Sequence, residues 1–222
     1  MNYGDIVELG RHRLMCGDAR KREDIERLLD GERVDLVLTD PPYGINIVRS
    51  GTNMMRHSLM LNDTSTDTAR EHYTLVQGYP AIIWGGQYFT DFLPVSKCWI
   101  VWDKHHSPKN YHDGELAWTN LNKTMKIYHH RWDGFIRAGN RTLNPSPSIH
   151  PTQKPVELHA KILEDFTQEG DLILDCFGGS GTTLIVCEIT GRRCFMMELS
   201  PEYCDVIINR YNTLTKGAIL FG

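Results

Sequence analysis

Asp171-Leu172-Ile173-Leu174-Asp175-Cys176-Phe177-Gly178-Gly179-Ser180-Gly181-Thr182-Thr183 passes from a short apolar run, through a glycine-rich turn, into a segment that reads as helix from Thr182 to Thr190. A brief apolar run bounded by turn residues is the signature of a buried strand. Glycines at a strand-to-helix turn let the backbone approach a ligand closely. The next apolar run, Arg193-Cys194-Phe195-Met196-Met197, ends at Glu198. A carboxylate at the end of the second strand is placed to accept hydrogen bonds from ribose hydroxyls, so this strand–helix–strand unit reads as a nucleoside site. A glycine-rich turn alone would be weak evidence, and Glu198 strengthens it.

Outward from this unit the pattern repeats. Apolar runs at 33–39, 80–84 and 98–102 read as further buried strands. Helices are expected at 21–29, 155–168 and 201–211, with Pro155 and Pro201 in first-turn positions, Ser200 as a cap, and Gly170 and Gly191 at left-handed exits. Alternating strands and helices imply an α/β chain with a mostly parallel sheet and helices on both faces. No linker divides the chain, so one domain over 1–222 is expected. Two stretches break the pattern: 46–73, read as a long mobile loop, and the irregular 131–148.

Thr39-Asp40-Pro41-Pro42-Tyr43 directly follows a buried strand. Ligands in open α/β sheets bind beyond the carboxyl ends of strands, which is where Asp40 emerges. The paired prolines stiffen the turn, lack N–H groups, and leave the Pro41 carbonyl to face a ligand.

Taken together, these elements resemble the S-adenosylmethionine-dependent amino-methyltransferases of DNA, in the group where Asp-Pro-Pro-Tyr precedes the glycine-rich element. The resemblance covers nearly the whole chain. It implies a Rossmann-like methyltransferase fold with a mixed, mostly parallel sheet. Cys16-Gly17-Asp18 is similar to the family's G-D element, whose aspartate reaches the cofactor adenine. His150-Pro151-Thr152-Gln153-Lys154-Pro155 is similar to its H-P-x-x-K-P element, and Asn62-Asp63 to the pair that often ends its mobile loop. Cys176 stands where the family often has proline. The implied catalytic residues are Asp40, Pro41, Pro42 and Tyr43. Cofactor contacts are expected from Asp18, Asp40, Lys154, Asp175, Phe177, Gly178, Gly179, Gly181, Thr182, Thr183 and Glu198.

The exocyclic amine of adenine is a poor nucleophile because its lone pair is delocalised into the ring. The Asp40 carboxylate and the Pro41 carbonyl, both accepting from that amine, would favour a tetrahedral nitrogen aimed at the methyl donor. A base inside a duplex is out of reach, so the target nucleotide must be flipped out. Tyr43 would offer it a stacking face, for which the ring matters and not the hydroxyl. Cytosine-N4 methylation stays open as an alternative, although that branch commonly has serine at the position of Asp40. Ribosomal RNA or protein glutamine methylation, often marked by Asn-Pro-Pro-Tyr, is lowered by the aspartate. Cytosine-C5 chemistry is excluded because no proline precedes a cysteine. A nicotinamide dehydrogenase fails on glycine spacing, while a non-catalytic nucleic-acid-binding module rests on basic charge alone.

That charge is unevenly spread. The 222 residues carry a formal net charge of −4, yet 104–154 holds eight Lys or Arg against three acids, while the rest holds sixteen against twenty-five. A basic stripe on an acidic body is what a phosphate-contacting surface looks like. Lys123, Lys126, Arg131, Arg137 and Arg141 are therefore expected to contact double-stranded DNA, within a short recognition region at about 123–149. Dimers are common in the resembled group, which admits a homodimer. Adjacent histidine pairs and scattered cysteines give no metal-ligand spacing, so no metal is expected. The six cysteines read as reduced thiols, and with no apolar run of membrane-spanning length the chain reads as cytoplasmic, with no membrane partner.

Overall fold

The computed structural model describes residues 1–45, 64–105, 113–133, 136–137 and 153–219. In chain order the elements are β1 (Ile6–Leu9), β2 (His12–Cys16), α1 (Arg22–Leu29), β3 (Leu36–Thr39), α2 (Asp67–Val76) and β4 (Ala81–Trp84). There follow β5 (Trp99–Asp103), β6 (Gly114–Thr119), β7 (Lys126–His129), β8 (Trp132–Asp133) and β9 (Ile136–Arg137). The chain then forms α3 (Val156–Phe166), β10 (Leu172–Asp175), α4 (Thr182–Ile189), β11 (Arg193–Glu198) and α5 (Pro201–Ile219).

Nine strands form one sheet in the order β1-β2-β11-β10-β3-β4-β6-β5-β7. The run from β2 to β4 is parallel, β6 is antiparallel to both β4 and β5, and β7 runs parallel to β5. Side-chain alternation assigns the two faces. Leu36 and Leu38 of β3, Ile82 and Trp84 of β4, and Cys194 and Met196 of β11 share one core with α3, α4 and α5. Their neighbours Val37, Ala81, Ile83, Phe195 and Met197 face the other core, with Ile25 and Leu28 of α1 and Ala69 and Val76 of α2. The expected α/β architecture with helices on both faces is present, and all six cysteines are buried and free.

The structure corrects several boundaries. The stretch expected as loop over 46–73 already contains helix from Asp67, because Ala69, His72 and Val76 recur on one face and bury it. The hairpin β1–β2 and strands β6 and β7 carry charged or half-exposed residues and so lack the apolar runs that mark the central strands. The last helix continues to Ile219. Among the described residues no helix is long and apolar enough to cross a membrane.

Candidate active site

The carboxyl ends of β2, β3, β10 and β11 converge on one cleft. It is lined by Asp40, Pro42 and Lys154, and by Asp18, Phe177 and Glu198. Asp175, Gly178, Gly179, Thr182 and Thr183 form its floor along the strand-to-helix turn. Most of the cofactor and catalytic positions expected from four separated stretches of sequence are thus brought together.

The glycine turn is tight for a physical reason. A Cβ on Gly178 would stand 2.9 Å from the Met196 side chain and 3.2 Å from the Met197 carbonyl. Gly178 donates its N–H to that carbonyl, which presses the turn onto β11. Glu198 accepts the Gly179 N–H at 2.7 Å and the Ser200 N–H at 2.8 Å, while burial raises its pKa. These bonds fix the carboxylate at the strand end. Asp18 is gripped by Arg20 through Nε at 2.9 Å and Nη2 at 2.7 Å, which holds its carboxyl below the ordinary range. It does not cap α1. Asp175 accepts from the Thr39 hydroxyl and the Phe177 N–H, both at 3.1 Å, yet burial pushes its pKa up to about 6. Four carboxylates about one cleft suit a cationic ligand, and the N-terminus of α4 with Thr182 and Thr183 suits an anionic group. The donor set therefore fits S-adenosylmethionine, whose sulfonium and amino groups are positive and whose carboxylate is negative.

At the end of β3, Tyr43 donates its hydroxyl to Asp40 Oδ1 at 2.5 Å, and Lys154 Nζ reaches Asp40 Oδ2 at 2.5 Å. Burial drives the Asp40 pKa up, and the Lys154 ammonium opposes it. Burial works equally against the Lys154 ammonium, but the carboxylates of Asp40 and Glu115 more than offset it and leave its pKa raised. Lys154 is only 4% exposed, so it is no solvated helix-start lysine. Its ammonium, expected on the cofactor, sits on the Asp40 carboxyl group. The Tyr43 hydroxyl has a task that the sequence reading denied it. Its ring stacks on Tyr88 with centroids 5.1 Å apart and lies against Gly85, where φ is +73° and any Cβ would run into the ring.

Other expected residues fall elsewhere. Pro41 and Tyr43 support the cleft without lining it. Gly181, with φ +81°, begins α4 and packs beneath Ile207 of α5. Lys123 and Lys126, expected on DNA, each have a partner within the fold. Lys123 donates to the Asp165 carbonyl at 2.8 Å and stands over the Phe166 ring, while Lys126 pairs with the Asp165 carboxylate at 3.5 Å. Both are tied to the end of α3 remote from Lys154. Arg131 follows β7 on the cleft side of the sheet. Arg137 lies in β9, and of it only the backbone is described; Arg141, the Asn62-Asp63 pair and His150 fall outside the described residues. Sequence reasoning missed Lys104, Glu115, Gly85 and Tyr88, because no motif marks them.

One half of the cleft has the donor set for a nucleoside with a charged tail, and the other holds the Asp40 carboxylate. That combination on this sheet defines the amino-methyltransferase class. A family model described as DNA methylase (N6_N4_Mtase) matches residues 90–210, more than half of the chain. The chain belongs to this DNA methylase family, and the expected dependence on S-adenosylmethionine follows with it. It is 25% identical to the type II methyltransferase M.HpaI of Haemophilus parainfluenzae over 92% of the chain and 76% of that protein. It is 46% identical to the type II methyltransferase M2.DpnII of Streptococcus pneumoniae over 50% of the chain, which spans 40% of that protein. The M1.HpyAVI-SAM complex superposes with a TM-score of 0.58 at 25% identity, over 90% of this chain and 99% of that one. PvuII DNA methyltransferase, a cytosine-N4-specific enzyme, matches with a TM-score of 0.60 over 97% of both chains at 16% identity, a likeness of fold alone.

Proposed function

We propose that the chain transfers a methyl group from S-adenosylmethionine to the exocyclic N6 of an adenine flipped out of double-stranded DNA. The observation that carries this reading is the Asp40 carboxyl group, paired with the Lys154 ammonium at the rim of the cleft that contains Glu198, Asp18 and the glycine turn. When bound there, S-adenosylmethionine supplies an electrophilic methyl on a sulfonium. Asp40 and the Pro41 carbonyl accept from the amine hydrogens and turn the nitrogen lone pair toward that methyl. Nitrogen–carbon bond formation accompanies loss of the carbon–sulfur bond, and the resulting acidic ammonium gives up its proton afterwards. No strong base is needed.

Asp40 favours adenine over cytosine, because the N4 branch commonly has serine there. Gly44 packs on the backbone of Ser65 and Thr66. Of the loop expected at 46–73, residues 46–63 lie outside the described residues. We read 1–222 as one cytoplasmic methyltransferase domain whose recognition region, at about 123–149, is short enough to favour a brief target or help from a second copy. Nucleoside mass spectrometry of DNA incubated with the protein and isotopically labelled S-adenosylmethionine tests the reading. Label in N6-methyldeoxyadenosine is the expected result, and label only in N4-methyldeoxycytidine would refute the choice of base.

A further inference from the structure

A second, partly buried carboxylate shares the Lys154 ammonium with Asp40. Lys104 just past β5, Glu115 in β6, Lys154 before α3 and Asp40 after β3 form a chain of alternating charge. Glu115 Oε1 meets Lys104 Nζ at 2.5 Å, and Glu115 Oε2 meets Lys154 Nζ at 3.1 Å. Lys154 Nζ then meets Asp40 Oδ2 at 2.5 Å and lies 3.3 Å from the Tyr43 hydroxyl. The ammonium also rests 5.3 Å from the centre of the Trp84 ring. Burial pushes the Glu115 carboxyl up, but Lys154 and Lys104 outweigh it and bring its pKa down to about 2.

The arrangement addresses a conflict in the proposed chemistry. Both Asp40 oxygens already have a partner, yet the target amine must also be accepted. Each carboxylate oxygen has a second lone pair, so Asp40 can still accept the amine if the ammonium keeps to the Oδ2 edge, and Glu115 at 3.1 Å is a second anchor for the ammonium there. We propose that Glu115, itself anchored by Lys104, is a positioning residue for methyl transfer that holds Lys154 at the edge of Asp40 and keeps the aspartate open to the substrate amine. This rests on the reading of Asp40 as the group that receives the amine. Lys104 and Glu115 belong to the part of the chain that leads to the expected recognition region, so the charge chain links that part of the fold to the catalytic carboxylate.

The groups facing Lys154 are Asp40, Glu115, the Tyr43 hydroxyl and His159, which burial and then Lys154 keep neutral, with a pKa lowered to about 3. Asp175 adds a further negative charge near Asp40. Glu115→Gln keeps the shape and removes the charge, so the Lys154 ammonium loses a favourable neighbour and should release its proton at lower pH. In protein labelled with ¹⁵N-lysine and assigned with Lys154→Arg, the Lys154 Nζ resonance of Glu115→Gln should titrate about one pH unit or more below that of the parent. The variant's kcat should fall about tenfold or more, with the alkaline limb of its pH profile moving the same way. S-adenosylhomocysteine affinity should stay within about twofold, since Glu115 does not line the cofactor half. Glu115→Asp, which keeps the charge, should restore part of both. An unmoved Lys154 titration, or a rate loss with an unmoved alkaline limb, overturns the proposal and reduces Glu115 to a structural role. Should the parent protein methylate no DNA, the functional reading fails, and the lysine titration still decides whether Glu115 governs Lys154.

Discussion

Asp175 is 4% exposed, and burial raises its pKa from 3.8 to about 6. For a carboxyl group the sign is unfavourable. Between those two pH values the folded state binds the proton that the unfolded chain has already released, so stability falls as pH rises through that window. About two pKa units at 1.36 kcal/mol each amount to about 3 kcal/mol lost above pH 6 and none below the unfolded value. Asp175→Asn removes the charge and retains Oδ1, which accepts from Thr39 and Phe177. The Thr183 hydroxyl, which also bonds to Asp175, can rotate to accept from the new amide. The variant should therefore gain stability at pH 8, on the order of 6–12 °C in Tm for a chain of this size. The advantage should shrink by roughly 2–3 kcal/mol as the pH is lowered to 4. Denaturant unfolding at unit pH steps measures it directly. A stability difference that is constant across that range would mean that Asp175 is not the burdened acid inferred here. The same variant should bind S-adenosylmethionine more weakly, since a carboxylate kept where a neutral group would be more stable is explained by the cationic ligand it faces.

Asp40→Ala should abolish methyl transfer while calorimetric affinity for S-adenosylhomocysteine stays within a few-fold; turnover near the parental rate would remove Asp40 from the chemistry. Glu198→Ala should weaken S-adenosylmethionine binding by about 1.5–3 kcal/mol through loss of charge-assisted bonds to ribose, read by the same calorimetry. An unchanged Kd would make Glu198 only the clasp that it forms with Gly179 and Ser200. Substituting Lys123 and Lys126 together with alanine should cost about 1 kcal/mol of stability or less, through lost contacts at the end of α3. It should leave the salt dependence of DNA affinity unaltered, and a flattened salt slope would return both lysines to the DNA surface.

The cofactor half was legible in the sequence because its geometry is local. Gly178 and Gly179 lie on a turn only a few residues long, and Glu198 ends the next apolar run, so strand periodicity alone places them together. Asp40 was legible for the same reason, as the residue that follows a fully buried strand. The partners of Asp40 were not. Lys154 is 114 positions away in sequence, and Glu115 sits in a strand whose first half is only partly buried, without the apolar run that marks β3 or β10. The antiparallel insertion of β6 between β4 and β5 puts Glu115 beside the end of β4 and so within reach of Lys154. That insertion is a property of strand order, which periodicity does not encode. Helix α2 was missed because its exposed face is so polar that only Ala69, His72 and Val76 mark the buried one.

The basic segment shows why charge read along a chain misleads about charge on a surface. Of the eight Lys and Arg between 104 and 154, Lys104 and Lys154 are absorbed by Glu115 and Asp40, and Lys123 and Lys126 by the end of α3. Half of the apparent phosphate-binding charge therefore balances acids and a helix terminus within the fold. The other four of the segment are Lys109, Arg131, Arg137 and Arg141, three of them arginines. Arginine reads guanine bidentately where lysine more often meets phosphate, so the change of membership shifts the expectation from general backbone attraction toward base readout. A protein of net charge −4 in which half of the basic segment is engaged within the fold should bind DNA weakly when no target base is engaged. Its affinity would then depend on the target base, which would place discrimination close to the step proposed for Asp40.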